Sequence, residues 1–357
     1  MEKRIGVVFG GRSVEHKVSV VSARTVAGAL AEAGFDVVAL GIAQDGCWIA
    51  PRQAQKALDG ELDVLEPVGE RVASSLRHLI EAEVDVIFPI VHGTWGEDGT
   101  LQGLCEMLDL PYVGTDVASS AVCMDKLLAK QVLRDAGLPV VDFEAVNRRD
   151  LDDFDAVASR LERLGWPLFV KPAIGGSSVG VQKVDGAEAL LPALEHALRF
   201  DGKLVVEKAV VGRELECAVL GYEQIQASGL GEIVPGRDFY DYADKYLEDG
   251  AELILRAELE PEMEEELRRL AIEAFEAVGG CGMARVDFLL DESGPAINEI
   301  NTLPGFTSIS MYPTLWREAG LQTSRLVKRL VKVALARHED QKRLDAGIKQ
   351  WIASLGE

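Results

Sequence analysis

The run ARVDF…INEINTLPGFTS (284–308) has the side chains best suited to chemistry. Asp287, Glu299 and Asn301 offer hard oxygen ligands from two apolar, strand-like stretches. Glu299 and Asn301 are two residues apart and so share one face of a strand. Mg²⁺ is commonly held in this way, by a few protein carboxylates together with nucleotide phosphates. Arg285 falls on the side of Asp287, where it could neutralise developing negative charge, and Gly305 leaves a backbone N–H able to approach a reacting carbonyl. A purely structural role for the run is disfavoured, because buried carboxylates without a cation are costly.

Five other segments have weaker signals. In GGRSVEH (10–16), Glu15 stands where two glycines turn a strand into a helix, so it either holds a substrate ammonium or complements the helix dipole. His92 opens HGTWGEDG (92–99) after an apolar strand, where α/β sheets bind ligands, although a lone histidine is more often structural. KPAIGGSSVG (171–180) sets Lys171 before Gly175, Gly176, Ser177, Ser178 and Gly180, a loop able to cradle phosphate or simply to close a hairpin. It is not a Walker loop, because the lysine precedes the glycines and no helix follows. EKAVVGRE (207–214) has Glu207 and Glu214 either lining an adenine and ribose pocket or standing as solvated surface groups, the commoner fate of a single glutamate. FYDYADKY (239–246) is aromatic enough for a lid that excludes water, or for a satellite apolar cluster.

These residues need an α/β framework. Residues 4–9 read as a buried strand that stops at two glycines, and the apolar spacing from Val18 to Leu30 predicts a helix. Residues 36–42 and 84–91 read as further parallel strands, giving a doubly wound first unit. Helices are expected near 126–136, 152–164, 187–200, 261–278 and 322–336. Strands are expected at 140–146, 167–173, 178–184 and 203–210, with longer ones at 213–221, 224–234, 282–290 and 295–300. Residues 338–357 read as a polar tail docked by Trp351 and Leu355.

The chain has 357 residues and a net charge of −22, which disfavours nucleic acid and anionic membrane as partners. An anionic nucleotide would then need locally placed lysine, arginine or metal. Five scattered cysteines without a CxxC pair suggest a reducing compartment and buried structural thiols, and residues 5–9 are too short for a signal core or a membrane span. A cytoplasmic enzyme is the expectation.

Taken in order, GGRSVEHKVSVVSA, HGTWGEDG, MDK (124–126), KPAIGGSSVG, EKAVVGRE, FYDYADKY, GMARVDF and NEINTLPGFTSISMYP resemble the D-alanine–D-alanine ligases of the ATP-grasp superfamily, from about Ile5 to about Leu335. The resemblance implies an α/β ATP-grasp fold, with an N-terminal doubly wound parallel-sheet domain (1–123) and two α+β subdomains (124–212 and 213–340) clasping the nucleotide before a tail (341–357). It implies ATP-dependent joining of two D-alanines through a D-alanyl phosphate, with ATP as co-substrate and two Mg²⁺ ions, Mn²⁺ being an alternative. By the same resemblance Lys126, Lys171, Ser178 and Lys245 would meet the phosphates, Glu207, Val210 and Phe239 the adenine, and Glu214 the ribose. Asp287, Glu299 and Asn301 would hold the metal. Glu15, Ser177 and Tyr246 would form a network closing the site, with Glu15 gripping the first ammonium beside Val18 and His92. Arg285 and the Gly305 N–H would stabilise the tetrahedral intermediate, and Ser310 and Met311 would serve the second D-alanine. Tyr246 favours dipeptide over depsipeptide formation, and a homodimer is implied. Gly175, Thr314 and Asp244 depart from residues common in the family, which bears on loop dynamics and affinity.

Overall fold

The structure is a computed structural model and describes residues 3–234 and 252–355. The first unit contains β1 (Arg4–Gly10), α1 (His16–Glu32), β2 (Asp36–Ile42), α2 (Pro51–Leu58), the single-turn helices α3 (Val72–Ser75) and α4 (Arg77–Ile80), β3 (Val86–Pro89), α5 (Thr100–Met107) and α6 (Val117–Met124). Its sheet has the order β2-β1-β3 and is wholly parallel. Both of its faces are buried. Ile5, Val7 and Phe9 belong to one apolar cluster, and Val8, Leu40 and Ile87 to another on the opposite side. That is why these strands read as unbroken apolar runs. At the end of β1, Gly10 has φ +91°, and a Cβ there would come within 2.2 Å of the Ile42 carbonyl oxygen, so the turn into the Glu15 loop requires glycine.

The second unit opens with α7 (Lys126–Asp135), followed by β4 (Phe143–Asn147), α8 (Phe154–Leu161), β5 (Leu168–Pro172), β6 (Gln182–Val184), α9 (Leu190–Ala197) and β7 (Lys203–Lys208). The sheet order is β4-β7-β5-β6, all antiparallel, with its own core of Val146, Leu161, Val170, Leu194 and Val206. Asp125 starts α7 by accepting from the Leu127 and Leu128 N–H groups, a cap worth about 1 kcal/mol. The MDK triplet is thus a cap followed by a first-turn lysine.

The third unit contains β8 (Arg213–Gly221), β9 (Gln226–Val234), β10 (Glu252–Ile254), α10 (Pro261–Ala277), β11 (Gly282–Asp291), β12 (Gly294–Asn301), α11 (Met311–Glu318) and α12 (Thr323–Ser354). The antiparallel order is β10-β9-β8-β11-β12. Leu220, Met283, Tyr312, Trp316, Leu326 and Leu330 share one apolar cluster with Ile5, Phe9 and Val26, so the first and third units are joined through a common core.

Three expectations are corrected. Of 178–184 only 182–184 is strand; Ser177 and Ser178 have φ of 50° and 58°, which takes them out of any strand. The last helix does not stop near 336 but continues without a break to Ser354. Trp351 and Leu355 are 62% and 66% exposed and dock nothing within the described chain, because the apolar residues of this stretch lie beyond the reach of the core. The five cysteines are free and buried, and no helix among the described residues is long and apolar enough to cross a membrane.

Candidate active site

A cleft of about 1180 Å³ gathers residues from all three units. This exceeds the ~300–1,000 Å³ that a single small ligand fills, leaving room for a nucleotide and an amino acid together. Glu15, Val18, His92, Lys126, Lys171, Ser177, Ser178, Glu207, Val210, Glu214, Arg285, Asp287, Glu299, Asn301, Gly305, Ser310 and Met311 all line it. Phe239, Lys245 and Tyr246 lie outside the described residues.

At one end the cleft is rich in lysine. Lys171 on β5 donates to Glu207 Oε2 on β7 at 2.7 Å. Lys130, one turn beyond Lys126 on α7, reaches Glu207 Oε1 at 3.2 Å and the Asn298 carbonyl oxygen at 3.3 Å. Sequence reasoning passed over Lys130, since a lysine in a helix normally faces water; here it is 1% exposed. Burial pushes the Lys130 ammonium below its ordinary pKa despite the pull of Glu207. Burial would raise the Glu207 carboxyl, but Lys130 and Lys171 outweigh it and hold the pKa below its usual value. The two directions pull opposite ways for the pair, one favouring the charged carboxylate and the other the neutral amine, because one carboxylate is shared by two lysines while Lys130 bears the full cost of burial. Lys126 Nζ donates to the Gly175 carbonyl at 2.7 Å and lies 3.6 Å from Glu299 Oε2.

The middle is built on β8, β11 and β12. Asp287 pairs with Glu216 on one side and Glu299 on the other, and Arg285 pairs with Asn301, so these side chains share one face. A register shift after Asp287 is the local irregularity that accompanies this pairing. Arg285 Nε and Nη2 donate to the two Asp287 oxygens at 2.7 Å each, and Nε lies 3.2 Å from Glu216. Burial opposes the Arg285 charge, yet Asp287 and Glu216 raise its pKa well above the ordinary value. Among the described residues no three Asp, Glu, His or Cys side chains form a metal cage by themselves. Asp287 and Glu299 as cross-strand partners, with the Asn301 amide on the same face, instead make a hard-oxygen set that leaves positions for phosphate and water. That set fits Mg²⁺.

The other end is rich in carboxylate. Ser177 donates from Oγ to Glu15 Oε1 at 2.7 Å, joining loops 162 positions apart. His92 is buried and its two ring nitrogens are engaged: Nδ1 lies 3.0 Å from the Leu303 carbonyl and Nε2 3.2 Å from Ser22 Oγ. The carbonyl can only accept, so Nδ1 carries the proton and Ser22 donates to Nε2. Burial pushes the His92 pKa down, which keeps the ring neutral. His92 therefore fixes the loop around Leu303 rather than offering a spare nitrogen. Glu97, in the same HGTWGEDG loop, is 8% exposed and accepts from the Gly93 N–H at 2.6 Å. Burial first, and then the charge of Glu15, push it up to about 8. Farther along, a Cβ at Gly305 would come within 2.7 Å of Ser310 Oγ, so a larger residue there would have to displace that hydroxyl. Ser310 Oγ accepts from the Thr307 N–H at 2.9 Å, and Met311 is buried with its sulfur against Gly231.

A parallel three-stranded unit followed by two antiparallel sheets, all bordering one nucleotide-sized cleft, defines the ATP-grasp class. Family models described as the D-ala D-ala ligase N-terminus and C-terminus match residues 4–115 and 132–332. The chain is 47% identical over 356 residues to D-alanine–D-alanine ligase A of Escherichia coli K12, covering 95% of this chain and 97% of that protein. It is 44% identical over 353 residues to the D-alanine–D-alanine ligase of Thermoanaerobacter pseudethanolicus, covering 95% and 98%. Among solved structures, the D-alanine–D-alanine ligase of Coxiella burnetii superposes with a TM-score of 0.82 at 35% identity, covering 99% of each chain. The VanG D-Ala:D-Ser ligase of Enterococcus faecalis gives 0.81 at 34% identity, covering 94% of this chain and 100% of that one. The chain belongs to the D-alanine–D-alanine ligase family.

Proposed function

We propose that this protein joins two D-alanine molecules in an ATP-dependent reaction through a D-alanyl phosphate, releasing ADP and phosphate and supplying the dipeptide for peptidoglycan precursors. The observation that carries this reading is the shared cleft: Glu15–Ser177 at one end, Lys126 and Lys171–Glu207 at the other, and the Arg285 face between them.

A free carboxylate is a poor acyl donor, because its leaving group would be oxide. Phosphorylation by ATP supplies a better one. Lys126 and Lys171, with Ser178 on the loop, bind the phosphates; Glu207 and Val210 meet the adenine and Glu214 the ribose. Glu15 holds the ammonium of the first D-alanine, with Val18 and His92 shaping that end, and Ser177 holds Glu15. Asp287, Glu299 and Asn301 would hold Mg²⁺, two ions in all, or Mn²⁺ in their place. When bound, the metal neutralises the charge of the transferring phosphoryl group. Arg285, fixed between Asp287 and Glu216, and the Gly305 N–H stabilise the oxyanion formed when the second amine attacks. Ser310 and Met311 border the place of that second substrate. Among the residues outside the described chain, Lys245 would assist at the phosphates, Phe239 would meet the base and Tyr246 would join the Glu15–Ser177 network. The protein works in the cytoplasm, as a homodimer, with the unit boundaries near 123, 212 and 340.

ADP release measured with D-alanine, L-alanine, D-serine and D-lactate at several pH values tests the reading. Turnover with D-alanine but not L-alanine is expected. Faster turnover with D-lactate at neutral pH, or no nucleotide consumption with any D-amino acid, overturns it.

A further inference from the structure

Lys130 does not border the cleft, yet it contacts the group that positions a cleft lysine. It lies behind Glu207, and the order from inside to cleft is Lys130, Glu207, Lys171. The side chains of Lys130 and Glu207 are 2% and 3% exposed, and that of Lys171 is 15% exposed. A fully buried ammonium is a costly group, tolerated where it meets an ionised partner and further acceptors. Lys130 has both: Glu207 Oε1 at 3.2 Å and the Asn298 carbonyl at 3.3 Å.

The two contacts belong to different sheets. Glu207 is on β7 of the four-stranded sheet, whereas Asn298 is on β12 of the five-stranded sheet, immediately before Glu299. Lys126 makes a second bridge of the same kind from the same face of α7, to Gly175 on one side and Glu299 on the other. Helix α7 is thus a strut between the nucleotide wall and the strand with the acidic cluster, and Lys130 is its dry end. Without Lys130, Glu207 Oε1 would be buried with no cation opposite it. The carboxylate would then turn wholly to Lys171 and draw that ammonium back from the cleft, or take up a proton and release it.

We propose that Lys130 is a positioning residue for the nucleotide: through Glu207 it sets where the Lys171 ammonium points, and through the Asn298 carbonyl it keeps β12 aligned with that wall. The proposal rests on the nucleotide roles given above to Lys171 and Glu207. Its nearest alternative is that Lys130 only stabilises the fold, and the two differ in what they move.

The test is Lys130→Met, which keeps length and volume but removes the charge. ADP release gives kcat and separate KM values for ATP and D-alanine, calorimetry gives ATP affinity, and thermal unfolding gives a stability control. The expected result is a rise of about tenfold in the KM and Kd for ATP, with the KM for D-alanine changed by less than about twofold. ATP affinity equal to that of the parent protein overturns the proposal. So does a uniform loss, in which both KM values and the melting temperature shift together. If Lys130→Met does not fold, Lys130→Gln takes its place, with the same selective rise expected and the same unchanged affinity overturning it. Absence of ADP release by the parent protein with D-alanine would instead defeat the ligase reading, and calorimetry with ATP would still decide the role of Lys130.

Discussion

The two ends of the cleft solve opposite electrostatic problems. At the nucleotide end, Lys126 and Lys171 in the wall and Lys130 behind it face Glu207 and Glu299, so the lysines outnumber the carboxylates and Glu207 stays ionised. At the amino-acid end the neighbours are Glu15 and Glu97 with a neutral His92, and there the surplus is carboxylate; Glu97 is pushed up to about 8. On a chain of net charge −22, only a local excess of lysine can receive a polyanion. An ammonium group needs the reverse, a fixed carboxylate whose neighbours do not compete as cations. On the proposed function, one cleft would hold both kinds of substrate by separating its charges lengthwise, with the Arg285–Asp287 pair at the boundary.

The boundary is the most sensitive place to break this arrangement. Glu299→Ala removes an oxygen donor from the face shared with Asp287 and Asn301 and also the partner of Lys126. Turnover should fall by about a thousandfold or more. Because Glu299 is partly exposed, circular dichroism should show the fold intact. Activity equal to that of the parent would remove the metal role assigned here. The next largest effect is expected at the amino-acid end. Glu15→Gln keeps the shape and an acceptor for Ser177 but removes the charge, so kcat/KM for D-alanine should fall about a hundredfold, the range for losing a charge-assisted contact to a desolvated ammonium. The affinity for ATP, measured separately, should stay within about twofold. Equal losses for the two substrates would mean that the ends are not electrostatically independent.

How much of this was legible in the sequence follows from the range of the interactions. Most of the strands and the helix that opens at Lys126 depend on neighbours a few residues away, and the apolar patterning showed them, whereas the Asp125 cap emerged only from the structure. Asp287, Glu299 and Asn301 were readable because strand alternation alone places Glu299 and Asn301 together, and two adjacent strands bring Asp287 beside them. Lys130 was not, because what makes it unusual is burial by Glu207 and Asn298, which follow 77 and 168 positions later. The state of Glu97 was hidden for the same reason, since it depends on Glu15 from another loop. The extension of the last helix beyond 336 was missed because its final turns carry Leu344, Ile348 and Trp351 on exposed surface, so no contact with the core marks them as ordered.

The smallest effect tests the carboxylate-rich end by its pH dependence. Folding raises the Glu97 carboxyl from an ordinary 4.5 to about 8, with burial the main cause and Glu15 the second. Between those values the folded chain holds a proton that the unfolded chain has released. The stabilising contribution is therefore complete below about pH 4.5 and is lost progressively as pH rises, until it is gone above about pH 8. Glu97→Gln imitates the protonated acid and retains the Oε1 acceptor for the Gly93 N–H, but it cannot ionise. Thermal midpoints of parent and variant, recorded from acid to mildly alkaline pH, should diverge in favour of the variant as pH rises. The gap should reach on the order of 5 °C and level off once Glu97 is fully ionised. Parallel curves would show that Glu97 is already an anion at neutral pH. In that case a cation must oppose it, and the charge separation between the two ends of the cleft would be weaker than described.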